Sequence, residues 1–168
     1  MRLGLKDYQN ESLEILDNYT TCVRQLTLAG VPHAEATAYG ETTERKYYTT
    51  PAFDHVPYVC LRIPTGGGKT LMAAHAVGRI GRGLLGIDNP ACLWVYPSTT
   101  IRDQTLRGLQ DSSHPYRLAL EEELGTSIEV LTLEEALTKP QYLRVSGPAV
   151  VIVTTIQSYR IRLSLIHI

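Results

Sequence analysis

Short apolar runs at 58–63, 91–96, 127–131 and 149–153 alternate with segments of helical periodicity near 70–80, 99–110, 115–124 and 133–138. That alternation predicts βαβ units, because parallel strands need a crossover between them and a helix usually supplies it. The run Ala149-Val-Val-Ile-Val153 has no polar position. A strand without a polar face suits a sheet covered on both sides. The expected fold class is therefore α/β, a three-layer arrangement around a parallel sheet. Ahead of it, residues 7–28 predict one long helix. Asp7 can cap its start, Tyr8, Ile15, Tyr19, Cys22 and Leu26 recur at helical spacing, and Gly30 and Pro32 stop it. From His33 to Pro57 no clear periodicity is visible, so a long polar loop or insertion is expected.

At 168 residues the chain can bury one sizeable core. A formal charge of −1 excludes a wholly basic protein that coats nucleic acid. It leaves room for a local cationic groove, since Arg102, Arg107, Arg117, Arg160 and Arg162 fall in the second half. The cysteines, Cys22, Cys60 and Cys92, are scattered, and Cys60 and Cys92 sit inside expected core strands. Small buried thiols in a reducing compartment are the reading. No apolar leader and no run of 18 apolar residues is present, which predicts a cytoplasmic chain, neither secreted nor membrane-spanning.

The most specific chemistry is in Ile63-Pro-Thr-Gly-Gly-Gly-Lys-Thr70, which follows the apolar run Tyr58-Val-Cys-Leu61. Glycines let backbone N–H groups converge on anionic oxygens with no Cβ in the way. Thr65, Gly66, Gly67 and Gly68 would cradle phosphates, Lys69 would reach the β/γ-phosphates and the Thr70 hydroxyl would hold Mg²⁺. A helix starting near Thr70 would aim its positive end at the same charge. The general pattern asks for glycine where Ile63 stands. The plain alternative is a glycine-rich turn with a chance lysine.

Other candidates are weighed against simpler roles. Gln9 could present a donor and an acceptor to an adenine edge, or be a solvated residue near a helix start, while Tyr8 is expected as a core contact. Pro97, Ser98, Thr99, Arg102 and Gln104 lie where a strand ends and a helix begins, the place where parallel sheets bind ligands. They could contact a nucleic-acid backbone, or Ser98 could only cap the helix. Thr154 and Thr155 end another strand with the same two readings. His33, His55, His75, His114 and His167 show no ligand spacing, so no metal site of histidine and cysteine is expected. Glu121–Glu123 and Glu134–Glu135 fall in helical segments and read as solvated faces.

Taken together, Leu5-Lys-Asp-Tyr-Gln9, the stretch Tyr58–Leu71 and Leu93-Trp-Val-Tyr-Pro-Ser-Thr-Thr-Ile-Arg-Asp-Gln-Thr-Leu106 resemble the DEAD/DEAH-type superfamily 2 helicase region of type III restriction enzyme R (Res) subunits. His114-Pro-Tyr-Arg117 and Val151–Tyr159 extend the resemblance over nearly the whole chain. It implies motif I at the glycine loop, motif Ia at Pro97–Gln104, motif Ic at Thr154–Thr155 and an adenine-reading Gln9. It also implies a P-loop NTPase fold of the RecA-like kind, with ATP and Mg²⁺ as cofactors. The partners would be DNA, as a duplex, and a modification or specificity subunit.

The domains expected on this basis are 1–57, holding the N-terminal helix and the polar insertion, and 58–162, an incomplete first RecA-like domain. The motif II carboxylates and the second domain with its arginine finger are not found in this sequence. The chain alone is therefore expected to be inactive in hydrolysis. A non-motor nucleotide-binding module and a small-molecule kinase are the alternatives. Leu163-Ser-Leu-Ile-His-Ile168 reads like one frame of a transposon mosaic-end sequence and is set aside as a non-native tail, a natural amphipathic tail being the other reading.

Overall fold

The structure is a computed structural model that describes residues 4–49, 55–125, 127–138 and 147–158. The tail at 163–168 lies outside the described residues. Backbone contacts divide the chain into two compact units, with the break between Ile87 and Asp88.

The first unit is helical. Helix α1 spans Asp7–Leu28, with Lys6 as the capping residue in extended conformation and Asp7 as the first helical residue, not the cap. The Lys6 N–H donates to Gln9 Oε1 at 2.8 Å, so the third helical side chain reaches back to satisfy the start. Past Leu28 the chain turns at Gly30, whose φ of 72° lies in the left-handed region. The buried stripe of α1 is Leu13, Leu16, Tyr19, Thr20 and Val23. Tyr8 and Ile15, expected on that stripe, remain 38% and 41% exposed.

Helix α2, Ala34–Thr43, occupies part of the segment expected as a loop. Its alanines favour a helix but carry no periodic apolar signal, so the sequence hides it. Ala34 and Ala38 are buried, and Ala38 packs with Tyr19 and Val23 of α1.

Residues 58–63 were expected as a strand, yet they form no strand among the described residues. Val59 and Ile63 instead pack on a core of Leu13, Leu16, Met72 and Ala76. Cys60 is exposed, not in a core strand. A β-rich run becomes a strand only when a partner strand offers its N–H and C=O groups, which is a tertiary matter. Helix α3, Lys69–Ile80, follows the glycine loop and continues into a π-helical turn at Gly81–Leu85. Arg79 of α3 donates to the Asp17 carboxylate of α1 at 2.6 Å.

The second unit is α/β. Strands β1 (Ala91–Tyr96), β2 (Ile128–Thr132) and β3 (Ala149–Thr155) form an open sheet in the order β1-β3-β2, with both pairings parallel. Helices α4 (Thr99–Gln110) and α5 (Pro115–Leu124) lie between β1 and β2 in sequence, and α6 (Leu133–Thr138) follows β2. The central strand is β3, and all of it but half-buried Ile152 is enclosed, as its unbroken apolar run requires. Edge strand β1 departs from that expectation, with Leu93 44% and Val95 39% exposed.

Local chemistry fixes the helix ends here. His114 Nδ1 accepts the Tyr116 N–H, with Pro115 at the first position of α5. The Glu135 carboxylate takes the Thr132 N–H at 2.8 Å while Thr132 Oγ1 takes the Glu135 N–H at 3.2 Å. Glu135 is thus a capping residue and not part of a solvated face. The fold class expected from the sequence, α/β with a parallel sheet, is present, as an incomplete RecA-like domain would have it.

Candidate nucleotide site and nucleic-acid face

In the first unit the glycine loop closes as a tight turn. The Pro64 carbonyl accepts the Gly67 N–H at 3.0 Å and Lys69 Nζ at 2.9 Å. Gly66 and Gly68 have φ of 77° and 78°, a conformation that β-carbons oppose. Gly67 is required for space: a Cβ there would lie 2.7 Å from Ile63 Cγ2 and 2.9 Å from the Pro64 carbonyl oxygen. That contact gives the unusual Ile63 a role, since its side chain packs under the turn.

Gly68 caps α3, so Lys69 and Thr70 are its first helical residues. The unpaired N–H groups of that first turn and the helix dipole both favour an anion. Lys69 is exposed and Thr70 half-buried, while Thr65 and Gly66 are exposed. The cleft beside them measures about 410 Å³ and is bounded by Leu61, Arg62, Ile63, Pro64 and Lys69. To reach a phosphate there, Lys69 gives up only one solvent-exposed bond to the Pro64 carbonyl.

Helix α1 holds this loop from its other side. Gln9 is 4% exposed, and its Nε2 donates to the Gly67 carbonyl at 2.9 Å. Its Oε1 is occupied by the Lys6 N–H. The Tyr8 hydroxyl donates to the same Gly67 carbonyl, also at 2.9 Å. Both ends of the Gln9 amide therefore work inside the protein, tethering α1 to the loop. Tyr8, expected in the core, is a second tether. An aromatic hydroxyl next to a glutamine at a helix start was the signal available for it, and nothing in spacing alone shows that it points at the loop.

In the second unit the candidates gather at the C-terminal ends of two paired strands. Register places Val95 opposite Thr154 and Tyr96 opposite Thr155. Pro97–Gln104 and Thr154–Ser158 are therefore neighbours, joined by Gln157 Nε2 donating to the Pro97 carbonyl at 3.3 Å. Ser98 caps α4 by backbone conformation, with no side-chain cap bond. Ser98, Thr99 and Gln104 are exposed. Arg102 lies against Asp103, its Nε donating at 2.8 Å.

Thr154 and Thr155 are 2% and 1% exposed, so their side chains are enclosed. Thr155 Oγ1 donates to Ser158 Oγ at 2.9 Å and accepts the Ser158 N–H at 3.2 Å, the capping role. A cleft of about 420 Å³ at these strand ends is bounded by Arg102, Thr132, Glu134, Thr154 and Ser158. Gln157, two residues past the end of β3, lies at this face and was not among the residues expected there.

The family model of the type III restriction enzyme, res subunit, matches residues 2–165. The chain belongs to that family. The match runs through both compact units, and the family makes the chain a superfamily 2 helicase-like ATP-binding domain. Among curated proteins and among solved structures, none matches this res-family chain. No helix among its described residues is long and apolar enough to cross a membrane.

Proposed function

We propose that this chain is the ATP-binding N-terminal part of a DNA helicase or translocase, the motor subunit of a type III restriction-type enzyme. The observation that carries the reading is the turn in which left-handed Gly66 and Gly68 flank a sterically obligatory Gly67 and deliver Lys69 and Thr70 to the start of α3. Such a turn fits a nucleotide: free N–H groups, a helix N-terminus and a lysine on an open cleft. Gly66 to Gly68 with Thr65 would bind the phosphates, Lys69 would neutralise their charge, and the Thr70 hydroxyl would hold Mg²⁺. The cation, when bound, offsets charge on the phosphate oxygens.

Gln9 takes part through its hold on Gly67, and adenine recognition by it requires the amide to exchange one of its internal bonds. Pro97, Ser98, Thr99, Arg102 and Gln104 form the DNA-backbone face, with Thr154 and Thr155 supporting it from β3. A duplex substrate, a modification subunit as partner, a cytoplasmic location and a RecA-like extent of 58–162 belong to the same proposal. Inactivity of the chain alone in hydrolysis belongs to the same proposal, and it is supported by Glu121 being bonded to Arg117 and Glu135 to Thr132.

The test is Lys69→Ala in the full-length parent. Loss of one charged contact to the reacting phosphates is expected to lower ATP turnover by about 10²–10³-fold. Since Lys69 is exposed and makes one bond to Pro64, the same change should leave the melting temperature of the chain unaltered. Unchanged turnover would refute the assignment.

A further inference from the structure

The sequence spacing of the histidines conceals a cluster. His33, at the start of α2, and His55, ahead of the run into the glycine loop, stack their rings with centroids 5.1 Å apart. Glu35 lies beside them, its Oε1 3.7 Å from His33 Nδ1. One ligand atom from each of His33, Glu35 and His55 lies within 4.8 Å of the others. From this juxtaposition we propose a site for a divalent transition metal, Zn²⁺ by its donor set, that joins the start of α2 to the segment entering the phosphate loop.

The carboxylate is the deciding group. Glu35 is 4% exposed, and its Oε1 finds no hydrogen-bond partner among the described residues. A buried carboxylate oxygen without a donor is costly unless a cation compensates it. The His33 Nδ1 at 3.7 Å is too far for a hydrogen bond and leaves that oxygen uncompensated. A metal held between the carboxylate and the two exposed imidazoles completes the set, because two nitrogens and one oxygen suit Zn²⁺ and leave a fourth position for water.

Small side-chain rotations would bring these atoms from their present spacing to metal-bond lengths. The backbone already sets both rings by an uncommon conformation, with φ of 51° at His33 and 63° at His55. The consequence is local: a clip across the polar segment restrains the approach to Val59, Ile63 and the turn built on Pro64.

Zn²⁺ alone, titrated into the full chain and followed calorimetrically, tests the site. One equivalent is expected to bind, with visible absorption characteristic of lower-than-octahedral coordination when Co²⁺ replaces it. His33→Ala, His55→Ala and Glu35→Gln should each weaken binding at least ~10-fold. Both histidines are exposed and the glutamine keeps the shape of Glu35, so circular dichroism should show the three variants folded. Cys60→Ser, at an exposed thiol outside the cluster, should bind as the parent does. Zn²⁺ should also slow hydrogen exchange at residues 55–63 in the parent and not in His55→Ala. Absence of binding, or binding that survives all three cluster substitutions, would overturn the proposal.

Discussion

The double tether on Gly67 makes an energetic prediction that a single contact would not. Tyr8 and Gln9 donate to one carbonyl, each at 2.9 Å, and Gly67 is buried. Tyr8→Phe removes one donor from a ring that is 38% exposed, leaving the carbonyl bonded to Gln9. About 0.5–1 kcal/mol is expected. Gln9→Met keeps the volume and removes two bonds, but the Lys6 N–H is near solvent and Tyr8 still serves Gly67; about 1–1.5 kcal/mol follows. The double variant strips the buried carbonyl of both donors, which adds a desolvation penalty of about 1–3 kcal/mol beyond the sum of the singles.

Hydrogen exchange at Gly67 and Met72 reads the loop directly, because their amides bond to Pro64 and Gly68. It needs no two-state assumption across two compact units. Protection at these amides should fall about tenfold for every 1.4 kcal/mol, so the double variant should lose at least fivefold more than the product of the single losses. Strict additivity, within about 0.5 kcal/mol, would refute the shared-carbonyl reasoning.

Two further outcomes follow from burial. Leu13, fully enclosed between α1 and α3 against Leu16, Met72 and Ala76, should cost about 2–5 kcal/mol on change to Ala and loosen the Gln9 tether with it. Urea unfolding followed by tyrosine emission measures the first effect, and exchange at Gly67 the second. In the other unit, burial pushes the Cys92 thiol up from 9.0 to about 11. The folded form then keeps a proton that the unfolded form has lost, so stability is whole below about pH 9 and declines as pH rises toward 11. Urea midpoints read from Trp94 fluorescence should show that decline in the parent and a shallower one in Cys92→Ala; equal slopes would remove Cys92 as the cause.

The helices with a periodic apolar stripe and the strands of the sheet were legible because their signals are local. Asp7–Leu28, Thr99–Gln110 and Pro115–Leu124 stand over the expected ranges, although Lys6 and not Asp7 caps the first. Helix α2 was not legible, since alanines fit a helix without declaring a face, and its burial comes from the neighbour it packs on. Nor was the fate of 58–63 legible, because strand residues do not carry their partner with them. The site divides in the same way. The glycines and Lys69 state their chemistry in the sequence, whereas the tether from Tyr8 and Gln9 to Gly67 joins positions nearly sixty residues apart.

By itself the sequence determined the glycine turn, since φ above zero and absent β-carbons are demands that only glycine meets without strain. It determined the alternation of strand and helix, and through its motifs the res-subunit family. Only the tertiary structure decided which polar groups serve that turn, that Thr154 and Thr155 are enclosed while Gln157 reaches Pro97, and that His33, Glu35 and His55 meet. The physical reason is separation along the chain. Backbone conformation and periodicity act over a few residues and are written there, while a hydrogen bond or a ligand set between distant residues exists only after packing has brought them together.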